Sequence, residues 1–151
     1  MTDIVSKQTR SRMMAGIKSK DTRLEILLRS GLHRRGFRFR LHGKDLPGRP
    51  DVVLPKYRAV IQANGCFWHG HDCSLFKVPS TNREKWVQKI DRNRERDEQN
   101  KAALESAGWR VLDLWECSVK GPDRRDVDVV LQEVCDWVRC AQRSMEIRGE
   151  R

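Results

Sequence analysis

Between positions 65 and 73 the chain reads Gly65-Cys66-Phe67-Trp68-His69-Gly70-His71-Asp72-Cys73. Two thiols, two imidazoles, a carboxylate and two adjacent large aromatics fall within nine residues. Thiols and imidazoles at this density are metal ligands, and imidazole is also the side chain that exchanges a proton near neutral pH. Neighbouring aromatic rings can stack on nucleobases. Cys66, His71 and Cys73 supply three such ligands, and Cys117, directly after a predicted strand, supplies a fourth. Zinc favours four ligands of this kind in a tetrahedron, and a set closed to water marks a structural site. The spacing is not that of a standard finger, so ordinary buried cysteines beside a surface histidine remain the alternative. His69 is not needed for the tetrahedron. Cys135 and Cys140, five apart on a predicted helix, do not share a face and read as core or incidental.

A second candidate centre is acidic. Asp51 follows the rigid turn Leu46-Pro47-Gly48-Arg49-Pro50 and opens a predicted strand, whose facing strand ends at Gln62-Ala63-Asn64. An acid at a strand start beside the end of a second strand resembles the core of restriction-endonuclease-like nucleases, where an acid and a following acid-x-lysine hold magnesium. Here Gln62 and Asn64 stand where the acid and lysine would be, and an aspartate after proline is also a turn former.

These groups need a frame. Residues 1–20 are polar and basic, with Arg10, Arg12, Lys18 and Lys20 around Met13 and Met14, and read as an N-terminal arm. Leu24, Leu27, Leu28 and Leu32 recur at helical spacing, with Ser19 or Asp21 as the cap and Gly36 as the stop. Glu25 falls at the edge of that buried face. Residues 37–41 alternate apolar and basic as a strand does, and 51–54 with 58–63 make a hairpin. A long helix over about 82–107 places Trp86, Ile90, Asn93, Asp97 and Leu104 on one face, with two polar residues where burial is expected. A strand over 109–115 and a helix over 126–140 follow, and residues 141–151 read as a flexible tail. Neither repeats nor a low-complexity linker interrupt the chain, so 1–151 reads as one α/β domain.

Composition narrows the class. The formal net charge is +10 and the pI about 9.8, which favours a polyanionic partner and salt-dependent binding. Five cysteines without an apolar leader argue against a disulfide framework and for metal binding by some of them. No apolar run is long enough to span a bilayer. A soluble, cytoplasmic, nucleoid-associated monomer of bacterial type is the expectation.

Taken together, Pro47-Gly48-Arg49-Pro50-Asp51, the 65–73 segment, Phe76-Lys77-Val78-Pro79, Trp109-Arg110-Val111-Leu112 and Trp115-Glu116-Cys117 resemble the very-short-patch repair (Vsr) endonucleases. The similarity runs from about Thr9 to Trp137, and the order and spacing of these motifs are highly specific. The resemblance implies a restriction-endonuclease-like α/β fold, a mixed central sheet flanked by helices, with a structural zinc site and an extended N-terminal arm. It implies a magnesium-dependent nuclease that nicks one strand of double-stranded DNA on the 5′ side of the T in a T:G mismatch, with a polymerase and ligase acting afterwards.

Residue by residue, the resemblance makes Asp51 and the Ala63 carbonyl magnesium ligands, His69 the catalytic histidine, and Glu25 a holder of water beside the metal. Asp97 lies in the same site, where it could orient His69. Cys66, His71, Cys73 and Cys117 match the zinc ligands. Phe67, Trp68 and Trp86 match an aromatic wedge beside the mismatch, and Met14 lies in the arm that approaches the minor groove with Arg10, Arg12, Lys18 and Lys20. One departure stands out: the family commonly has histidine where this chain has Asn64, and an amide carries neither a proton nor a positive charge. Asn64 marks a second reading, a zinc-stabilised mismatch-binding protein with weak or lost cleavage, and a third keeps the nickase but for a different mismatch.

Overall fold

A computed structural model describes residues 22–140 and 143–150. The expected arm, with Arg10, Arg12, Met14, Lys18 and Lys20, lies outside the described residues. Helix α1 (Arg23–Arg34) begins where the Thr22 hydroxyl accepts the Glu25 N–H at 3.2 Å. The cap is therefore Thr22 and not Ser19 or Asp21: its backbone is extended, and its oxygen satisfies one of the N–H groups that a helix start leaves unpaired. Gly36 stops the helix with φ of 84°, and the Phe37 N–H closes back on the Leu32 carbonyl at 3.0 Å. Leu24, Leu28 and Leu32 are buried, and Glu25 lies fully among them at 4% exposure, deeper than the edge position expected.

Strand β1 is only Arg40–Leu41, shorter than the alternating pattern suggested. Phe37 is buried in the core and Phe39 packs against it, so those rings serve the helical layer rather than a ladder. β2 (Val52–Leu54) and β3 (Ala59–Asn64) form the expected hairpin around a 3-10 turn at Pro55–Tyr57. Helix α2 (Arg83–Ser106) crosses back to β4 (Arg110–Trp115), a 3-10 turn covers Glu116–Ser118, and helix α3 (Val127–Arg139) leads to β5 (Met145–Ile147). The five strands run β1-β2-β3-β4-β5, antiparallel up to β3 and parallel beyond it. This is the mixed α/β sheet flanked by helices that the sequence implied.

Strand alternation sorts the core onto two faces. Val52, Leu54, Ala59, Ile61, Leu112 and Leu114 meet the leucines of α1 and the Val130, Val134, Trp137 and Val138 stripe of α3. On the other face Val53, Val60 and Val111 form a smaller cluster with Leu104 of α2, and Leu46 and Trp109 pack against it. Helix α2 is thus polar and largely exposed, with Ile90 and Leu104 its buried residues. Among the described residues, no helix is long and apolar enough to cross a membrane.

The chain end departs from expectation. Residues 145–147 are not a flexible tail: they pair parallel to β4, with Leu112 beside Met145 and Leu114 beside Ile147. The Ser144 hydroxyl accepts the Val111 N–H at 3.0 Å, and the Ile147 side chain is buried. Three residues between polar neighbours carry too short a period to read. Ile147→Ala should therefore destabilise the protein by about 2–5 kcal/mol, as removal of a buried isoleucine does. Chemical denaturation checks this, and an unchanged midpoint would return the segment to a tail.

Candidate active site and metal centre

The parallel register of β3 and β4 sets Asn64 beside Trp115. Two residues further along each chain stand Cys66 and Cys117, so the sheet itself delivers two thiols to one point. The 65–73 segment then folds tightly upon itself: Gly65 O accepts the His69 N–H at 3.2 Å, and Cys66 O accepts the His71 N–H at 3.0 Å. This brings His71 and Cys73 back to the pair, and the four ligand atoms all lie within 4.8 Å of one another. His71 Nδ1 is 3.6 Å from both the Cys66 and Cys117 Sγ atoms. Its ring stacks on Trp115 with centroids 3.9 Å apart.

The donor chemistry fits a closed zinc site. The Cys117 N–H donates to Cys66 Sγ and the Gly149 N–H to Cys117 Sγ, each at 3.3 Å, as backbone amides do to thiolates. Burial pushes the Cys66 and Cys117 thiols up, backbone N–H donors oppose this, and Cys73 adds to it at both, so a cation among the sulfurs would favour their thiolate forms. Burial, and next Arg148, hold His71 below its usual range, which keeps the imidazole neutral as a ligand must be. Cys135 is buried in the core and Cys140 exposed, and neither belongs to the cluster.

Helix α2 grips the outer side of the segment with its polar residues. Asn93 Nδ2 donates to the Trp68 carbonyl at 2.9 Å, and Asp97 Oδ2 meets His69 Nδ1 at 2.5 Å. Gly70 sits against the helix with φ of 60°, and a β-carbon there would lie 2.5 Å from Ile90 Cγ2. Glycine is required for both reasons. The polar residues on the helix face thus bind a loop, which explains their place in the stripe. Phe67, Trp68 and Trp86 form a half-buried ring cluster, with Phe67 5.1 Å from Trp68 and 5.4 Å from Trp86 between centroids. The Lys89 ammonium lies 5.1 Å from the Trp68 centroid.

Between α2 and the sheet lies an open cleft of about 440 Å³, lined by Gln62, Asn64, His69, Asp97, Lys101 and Asp113 among others. Lys101 and Asp113 join the site without having been expected. Asn64 Nδ2 donates to Asp113 Oδ1 at 3.0 Å, and Lys101 Nζ lies 3.6 Å from Asp113 Oδ2. Burial pushes the Asp113 carboxyl up, and Lys101 and Asn64 act against it. An acid in the middle of an apolar strand was the available signal.

At the same end of the sheet Asp51 Oδ2 accepts the Ala63 N–H at 2.7 Å. Burial pushes the Asp51 carboxyl up to about 7; the Ala63 N–H opposes this, the Glu25 carboxylate adds to it, and His69 opposes it. Oxygen ligands packed beside a second acid suit a hard divalent cation, which would relieve their repulsion. The fit extends to a residue without a sequence signal, His42, which lies with Glu25 and Asp51.

Comparison with known proteins gives the family. The family model described as DNA mismatch endonuclease Vsr matches residues 2–75. The DNA mismatch endonuclease Vsr of Escherichia coli (strain K12) is 44% identical over 138 residues, covering 91% of this chain and 88% of that protein. The type II nicking enzyme V.XorIIP of Xanthomonas oryzae pv. oryzae is 48% identical over 119 residues, covering 79% and 88%. The type II nicking enzyme V.NmeAIP of Neisseria meningitidis is 41% identical over 140 residues, covering 91% and 100%. The chain belongs to the DNA mismatch endonuclease Vsr family and is a DNA endonuclease with a restriction-endonuclease-like α/β core.

Proposed function

We propose that this nicking endonuclease is magnesium-dependent, recognises a T:G mismatch in double-stranded DNA and cuts one strand on the 5′ side of the T, opening very-short-patch repair. The observation that carries this is the His69–Asp97 contact at 2.5 Å in a cleft next to the Asp51 carboxylate. It supports a proton acceptor and a cation site at one end of one sheet.

Asp51 and the Ala63 carbonyl would hold magnesium, and Glu25 would hold water beside it. Bound there, the ion supplies charge neutralisation on the phosphate and on its attacking and leaving oxygens. His69 acts as the base. With Nδ1–H donating to Asp97, Nε2 is left to accept a proton from the attacking water, and the carboxylate steadies the ring as it becomes charged. Asn64 commits its amide to Asp113, which leaves its carbonyl oxygen to accept a hydrogen bond from water. It cannot carry the proton or charge of a histidine, so proton transfer falls to His69 alone.

Phe67, Trp68 and Trp86 form the wedge that parts the bases beside the mismatch. Unstacking costs a few kcal/mol per base step, and less at a mismatch, which is a physical source of selectivity. Lys89, poised over two of the rings, is placed to meet the phosphates as they enter. The basic arm, with Arg10, Arg12, Lys18, Lys20 and Met14, would follow the opposite groove. Cys66, His71, Cys73 and Cys117 would hold zinc in a closed site that fixes the loop, leaving His69 to the reaction.

Cleavage of an end-labelled T:G duplex should require a divalent ion and yield a single nick 5′ of the T, with T:A and other mismatches cut far more slowly. Tight binding without a nick in magnesium, manganese or cobalt would make the protein a binding module, and equal cutting of another mismatch would change its target. Elemental analysis of the purified chain should find about one zinc, by the four-ligand rule. Its removal with a chelator should unfold the 65–73 segment and lower thermal stability, whereas a zinc-free protein of unchanged stability would remove the structural site.

A further inference from the structure

His42 follows β1 directly, and its N–H donates to the Asp51 carbonyl at 3.0 Å. A ring nitrogen of His42 and one carboxylate oxygen each from Glu25 and Asp51 all lie within 4.8 Å of one another. The three side chains come from separate places in the chain: the first turn of α1, the exit of β1 and the entry to β2. Glu25 is buried at 4% exposure. His42 also holds a left-handed backbone, with φ of 50°, which a residue with a β-carbon rarely adopts. The bond to Asp51 and that of the Gly43 N–H to the Pro50 carbonyl, at 2.9 Å, keep the turn in that form. The chain thus reverses where it carries an imidazole to two acids.

We propose that His42 is a ligand of the catalytic ion, adding an imidazole nitrogen to the Glu25 and Asp51 oxygens. This rests on the metal-dependent nuclease reading above and deepens it. Arg29 already lies 3.5 Å from Glu25, and beside the two carboxylates a neutral imidazole adds a donor to a divalent cation without adding charge. Oxygen ligands alone suit magnesium, whereas imidazole favours later first-row ions such as manganese and cobalt. His42 therefore tilts the site towards manganese while magnesium still enters.

Electron spin-echo spectroscopy of Mn²⁺ bound to the zinc-loaded, full-length protein tests this, because a directly bound imidazole imprints nitrogen-14 modulation on the manganese signal. The wild type should show that modulation, His69→Ala should retain it and His42→Gln should lose it. His42→Gln should also weaken Mn²⁺ binding by about tenfold or more, and Mg²⁺ binding by less. Asp51→Asn serves as the control for the site itself. Mn²⁺ that requires Asp51 but shows no modulation in the wild type, or keeps it in His42→Gln, would overturn the His42 assignment and leave the nuclease reading standing. Mn²⁺ that fails to bind, or binds equally well in Asp51→Asn, would overturn both.

Discussion

The structure of the site depends on one constraint: β3 and β4 run parallel and in a register that leaves Cys66 and Cys117 side by side as both chains quit the sheet. Parallel neighbours end at the same edge of a sheet, so the loops that follow them share one end of the molecule. The loop after β3 returns to that edge with His71 and Cys73, and four donor atoms converge. Any shift of register would separate the thiols, and the residues between them would lose their direction. Between Cys66 and His71 those residues are two aromatics, a histidine and a glycine. Their orientations follow from where the two anchors are.

Helix α2 supplies the opposing grip. It buries little apolar surface: Leu104 and the Lys101–Asp113 pair hold it to the sheet, and Ile90, Asn93 and Asp97 hold it to the loop. Such a helix is a poor contributor to the core and a good platform for polar positioning. The burial of Glu25 and Asp51 has the same character. Glu25 is buried and Asp51 half-buried beside it, the Glu25 carboxylate adds to the cost of ionising Asp51, and Arg29 lies 3.5 Å from Glu25. Structural cost and chemical use coincide at this end of the sheet.

Much of this was legible in the chain. The metal-ligand segment announced itself by density, Asp51 by its place after a proline turn, and Asp97 by being polar on a face that should bury. Helices α1 and α3 followed from leucine and valine periodicity, and Gly36 ended the first of them as expected. What escaped was set by tertiary contact. β5 is three residues long and owes its strand form to the open edge of β4. The Asn64–Asp113–Lys101 chain joins residues 49 and 12 positions apart, which no local period connects. His42 stands beside a glycine in a polar turn with a left-handed backbone, and no local period ties it to the two acids it meets.

If His69 serves as the base, it and Asp97 should act as one unit on the attacking water, held by the anchored loop. A double-mutant cycle on the single-turnover rate of T:G duplex cleavage, using His69→Ala, Asp97→Asn and the combination, tests it most directly. His69→Ala should lose about 10²–10⁴-fold, Asp97→Asn should lose substantially, and the combination should lose no more than His69→Ala alone. Full activity in His69→Ala, or losses that multiply in the double variant, would contradict it.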